Sequence, residues 1–168
     1  MKRTRDLAFS AMATALAVVI LLLGGWTGIG AYAAPMLAGV TLIAVGLRAG
    51  GKAQLLSYIA VSLLSLLLIS EWEMNLIFIG ILGWYPMVRP RLQRLKPAAA
   101  YLIKFAGFNV LIIGIETLVM RVLAPETESA VLLAVLLAAA NLVFFLYDRL
   151  LPRYTLMLQR RLNQRRPT

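Results

Sequence analysis

The sequence predicts an all-α integral membrane protein: a bundle of six transmembrane helices with both termini cytoplasmic and a basic amphipathic C-terminal tail. Three observations carry that fold class. Hydrophobic residues fill 61% of the 168 positions and charged ones only 14%, against an apolar share of about 45–50% in soluble domains. Six apolar runs, at roughly 20 residues per span, occupy most of the chain and leave no room for a separate soluble domain. Sixteen of the 17 Lys and Arg then fall on one side of the six-run arrangement, as expected for short cytoplasmic loops.

The first run, residues 7–23, follows Lys2, Arg3 and Arg5 and is expected to stop at Gly24-Gly25-Trp26. Ala31-Tyr32-Ala33 mimics a signal-peptide cleavage site. The run is longer than the roughly 7–15 residues of a signal core, however, and the motif lies well past its end, so it reads as a span. Residues 32–47 form the second, with Pro35 in the first turn, where a missing N–H costs least. After the Arg48–Lys52 turn comes the third, residues 53–70, ending at Glu71-Trp72-Glu73. The fourth, residues 74–88, is short. Pro86 is expected to kink or end it before a basic loop carrying Arg89, Arg91, Arg94 and Lys96.

Residues 100–123 form a fifth span long enough to tilt, and it carries Lys104, Asn109, Glu116 and Arg121. Pro125, Glu126 and Glu128 separate it from the sixth, residues 130–147. The membrane domain is thus 1–149, and 150–168 is a basic cytoplasmic or interfacial tail. There Leu151, Tyr154, Leu158 and Leu162 recur at helical spacing beside five arginines, a pattern suited either to anionic membrane lipid or to docking a partner.

Composition also excludes chemistry. No Cys or His is present, which removes thiolate and imidazole metal sites, Cys nucleophiles and His-based acid–base catalysis. No phosphate-binding loop is present either, because the glycines near Gly24 and Gly28 follow no strand and precede no suitably placed Lys. The net charge of +10 reads as positive-inside topology rather than nucleic-acid binding. Neither a cofactor nor a metal is expected, and an enzyme built on Glu71, Glu73 and Glu116 is the least favoured reading.

Function is therefore sought on the opposite, acidic side. Glu116 lies about 10 Å inside the outer end of the fifth span, where a lipid-facing carboxylate costs several kcal/mol. It must face a cavity or pair with a neighbour such as Arg121, although a spacing of five is poor helical geometry. Glu71 and Trp72 can hold an organic cation by charge and cation–π contact, or simply sit at the interface. Trp26 and Asn75 also collect at the outer ends of the spans. Asn109 shares the Glu116 face of its helix, and it and Asn141 each read as making an interhelical hydrogen bond in preference to serving the site. Gly28 and Gly30 suit a flexible lid. Ala11 and Ala15, with Ala13 and Ala17, form four-residue repeats that permit close helix approach, either inside the bundle or against another subunit.

The size, the six spans and a first helix reading Leu7-Ala8-Phe9-Ser10-Ala11-Met12-Ala13-Thr14-Ala15-Leu16-Ala17 after a basic start resemble the substrate-binding S components of energy-coupling-factor (ECF) transporters. The resemblance implies a multi-pass bacterial cell-membrane protein without enzymatic activity of its own. It implies capture of a small water-soluble, vitamin-like or cationic solute near the outer face, by Trp26, Glu71, Trp72, Asn75 and Glu116; Arg121, the lone outer-side base, shares the outer end of the fifth span with Glu116 and is a further substrate-binding candidate. It further implies that Ala11, Ala13, Ala15 and Ala17 contact a transmembrane coupling subunit served by ATP-hydrolysing partners. The alternative is a non-catalytic structural or assembly subunit of a membrane complex.

Overall fold

A computed structural model describes residues 2–27, 31–122 and 130–164, and these are helical with short turns. The helices are α1 (Lys2–Thr27), α2 (Ala33–Ala49), α3 (Gly51–Leu68), α4 (Trp72–Ile77), α5 (Tyr85–Leu92), α6 (Pro97–Val122) and α7 (Ala130–Gln164), with one π-helical turn at Phe78–Leu82 between α4 and α5. Four segments are long and apolar enough to cross a membrane: Arg3–Thr27, Gly51–Leu68, Pro97–Val122 and Leu133–Arg161. The chain is accordingly a membrane protein. Helix α2 is apolar but shorter, about 25 Å at 1.5 Å per residue.

Two apolar clusters organise the bundle. One joins α1, α2 and α3 to the start of the broken fourth segment through Ala17, Leu21, Ala38, Leu42, Val61 and Phe78. The other joins α2, the π turn, α5, α6 and α7 around Ile43, Tyr85, Phe108, Phe144 and Tyr147. Leu47, Leu92, Leu151 and Tyr154 belong to this second cluster, so the end of α2, the end of α5 and the middle of α7 share one end of the molecule. There Asp6 accepts from Arg48 at 3.3 Å, tying the start of α1 to the end of α2. The α2–α3 turn depends on Gly50, whose φ of +91° suits glycine.

Several boundaries differ from the sequence expectations. Helix α1 does not stop at Gly24-Gly25-Trp26 but runs to Thr27. Those glycines are contact points, not breakers: a side chain on Gly24 would overlap Ala34 and crowd Met74, and one on Gly25 would press on Ile69. Pro86 opens α5 rather than ending a helix, and α5 continues through Arg89 to Leu92, where a loop was expected. Proline fits a first helical turn because that N–H has no partner to lose. The expected separate tail is the continuation of α7, one helix through Pro152, anchored because Leu151 is buried and Tyr154 packs against the core. The expectations placed on Gly28, Gly30, Pro125, Glu126, Glu128, Arg165 and Arg166, and on the Leu162 side chain, lie outside the described residues.

The break in the fourth segment follows from hydrogen-bond chemistry. Gly83 N–H donates to Phe78 O at 2.8 Å, closing a π-type turn. Pro86 has no N–H to give to the Leu82 carbonyl four residues earlier, and the Tyr147 hydroxyl donates to it at 3.2 Å. The Tyr58 hydroxyl donates to Ile79 O at 2.7 Å, and Trp84 Nε1 donates to Gly80 O at 2.7 Å. Three side chains thus donate to carbonyls of the break, pairing backbone groups there.

Candidate functional site

Helix α6 positions the polar residues. Its buried residues are Ala100, Lys104, Phe108, Ile112, Glu116 and Met120, one every four positions. That is a narrow seam, and the exposed residues around it, such as Leu102, Val110 and Leu118, are apolar and suited to lipid. Lys104 and Glu116 lie on this seam about 18 Å apart, so the helix presents a buried cation near one end and a buried anion near the other.

At the acidic end Glu116 is 1% exposed. Its Oε1 accepts from the hydroxyl of Tyr32 at 2.5 Å, and Tyr32 immediately precedes α2. Helix α4 packs against this part of α6 and brings in Glu73, which is half-buried. Burial, then the charges of Glu116 and Glu71, push the Glu73 carboxyl above its ordinary value. Two carboxylates thus lie within electrostatic reach of each other, and the Tyr32 phenol is the donor to Glu116. The cluster favours a positively charged group.

The other sequence candidates separate from this core. Trp26 is 92% exposed, Trp72 is half-exposed, and Glu71 and Arg121 are exposed. Among the described residues Arg121 makes no ion pair with Glu116. Asn75 is buried but turned to α3, where its Nδ2 donates to Ile69 O at 2.9 Å and Ser65 O at 3.4 Å. It satisfies carbonyls at the end of that helix. Asn109 and Asn141 form a reciprocal amide pair at 2.9 and 2.8 Å between α6 and α7; interhelical hydrogen bonding was expected for each, but not that they would bond to one another. The alanine repeat divides: Ala17 is fully buried and Ala13 half-buried, whereas Ala11 and Ala15 face outward.

The largest feature that the sequence reading passed over is at the basic end. Asp148 accepts from Tyr85 Oη at 2.5 Å, from Arg89 Nε at 2.5 Å and from Lys104 Nζ at 3.1 and 3.2 Å. The same arginine's Nη2 donates to the Asp148 backbone carbonyl at 2.8 Å. In the sequence Lys104 is simply one of the sixteen bases on the inner side. A lone acid just past the last apolar run, with Arg89 just past the fourth and Lys104 near the start of the fifth, was the available signal.

No protein-family model, curated protein or solved structure matches this chain. What the site can do must therefore be argued from its own chemistry. Across the described residues no group of His, Cys, Asp and Glu suits a metal ion, and the acidic end offers carboxylates and a phenol for an organic cation.

Proposed function

We propose that this chain is the solute-binding subunit of an ATP-driven importer, with six spans and both termini in the cytoplasm, taking a small water-soluble cationic compound at its outer face. One observation carries the reading: Glu116 is buried on the α6 seam, held by Tyr32, with the charge of a second carboxylate, Glu73, within its electrostatic reach. A membrane protein keeps an intramembrane acid where it pairs, conducts or binds. The broken fourth segment supports the same reading, because interrupted helices at membrane depth accompany solute sites in transporters. The positive-inside rule places the Glu116 end outward. The expectations for Trp26 and Trp72 narrow accordingly, since their exposure suits a rim or the lipid interface better than a pocket wall.

This chain carries no phosphate-binding loop, so ATP hydrolysis belongs to a partner. Ala11 and Ala15, on the outward face of α1 with Leu7 and Met12 exposed alongside, are the residues that favour contact with a coupling subunit. That same face also fits the second reading, a non-catalytic assembly subunit. Native mass spectrometry of gently extracted protein discriminates them. A copurifying small cation and a nucleotide-binding subunit support the importer; a stable complex with neither supports assembly.

A further inference from the structure

The basic end holds an unbalanced set of buried charges. Arg89 and Lys104 have side chains only 10% and 5% exposed, and both pair with the one carboxylate of Asp148. The nearby charged residues Arg91, Arg94, Lys96 and Arg149 are all basic. Among the described residues, the other carboxylate at this end, Asp6, is paired with Arg48. One positive charge is therefore left over in a setting where a buried ion needs a counter-ion.

The guanidinium of Arg89 has room for that counter-ion. Its Nε and Nη2 donate to Asp148. Its remaining edge faces Gln93, whose amide oxygen, turned toward the arginine, accepts from Nη1 at 2.9 Å and Nη2 at 3.1 Å. Gln93 is exposed and neutral. It occupies the fork of an arginine without supplying charge, in the position where a phosphate oxygen would bind with charge assistance. Leu95, two residues past Gln93, and Tyr101, whose ring lies 5.7 Å from Lys104 Nζ, are both exposed. An apolar surface beside a cationic fork fits a phospholipid better than a free anion.

We infer that the Arg89 fork, backed by Lys104, seats the phosphate of an anionic membrane lipid, which displaces the Gln93 amide. The test compares thermal unfolding in vesicles of phosphatidylcholine with and without phosphatidylglycerol. Wild-type protein has a higher midpoint with phosphatidylglycerol. The increment survives about 1 M salt, where exposed charges are screened beyond about 3 Å. Gln93→Glu, which supplies its own anion from an exposed position, is stabilised in phosphatidylcholine and gains nothing further from phosphatidylglycerol. Arg89→Gln loses the increment; should that variant fail to fold, Gln93→Glu decides alone. The inference is overturned if salt abolishes the increment, if Gln93→Glu keeps it, or if inorganic phosphate in phosphatidylcholine reproduces it, which would assign the fork to a soluble anion.

Discussion

Replacing Asp148 with Asn keeps the shape and the acceptor oxygen but removes the carboxylate that, among the described residues, pairs with both Arg89 and Lys104. Removing one partner of a buried ion pair costs about 3–5 kcal/mol, because the remaining charge stays desolvated. An ordinary polar contact between membrane helices is worth far less, averaging about 0.6 kcal/mol. The side chains in this group are at most 10% exposed, so solvent screening does little to reduce the larger figure. Asp148→Asn in phosphatidylcholine is therefore expected to lower unfolding free energy by about 3–5 kcal/mol. Reversible unfolding in mixed micelles, followed by loss of helicity, measures it. A companion triple variant, Arg89→Met with Lys104→Met and Asp148→Leu, should recover most of that loss, since apolar residues of similar volume replace a buried ionic group without penalty. A loss below about 1 kcal/mol for Asp148→Asn, the size of a simple polar contact, would refute the argument that these charges are buried and interdependent.

The break in the fourth segment makes its own prediction: Tyr58→Phe leaves the Ile79 carbonyl without its side-chain donor and is expected to cost about 1–3 kcal/mol by the same unfolding assay. The Asn109–Asn141 pair should show a double-mutant coupling of about 0.6 kcal/mol and no more than about 1.7 kcal/mol. Glu73 binds its proton more tightly when folded, so the folded state holds more protons between the ordinary carboxylate value and the raised one. Stability therefore falls as pH rises through that window. Glu73→Gln should flatten this slope and raise the thermal midpoint at neutral pH, and an unchanged slope would assign the effect to another group.

Much of the bundle was legible because apolar runs and basic turns are strong signals. Four of the runs fall on α1, α3, α6 and α7, helices long and apolar enough to cross a membrane, and the other two fall on the shorter α2 and the broken α4–α5 segment. What periodicity does not encode is how a terminus packs. Gly24 and Gly25 look like breakers, yet they allow α1 to approach Ala34 and Ile69. Pro86 signals a discontinuity, but only the positions of Tyr58, Trp84 and Tyr147 reveal that the carbonyls around it are satisfied and that a new helix begins there. Glu116 was identifiable as a single acid inside an apolar run. Its partners Tyr32 and Glu73 come from distant segments, and proximity of that kind depends on packing. The Asp148 group was hidden for a related reason: Arg89 and Lys104 fit the positive-inside count so well that their pairing left no trace in it.

The central claim, that the acidic end binds a cationic solute through Glu116, is tested most directly by equilibrium binding of the compound that copurifies with the protein. Wild type and Glu116→Gln are compared, with folding of both checked by helicity. Loss of a hydrogen bond to a charged group is worth about 1.5–3 kcal/mol, so the variant should bind roughly ten- to a hundredfold more weakly. Equal affinity in two folded proteins would remove Glu116 from the site and contradict the account.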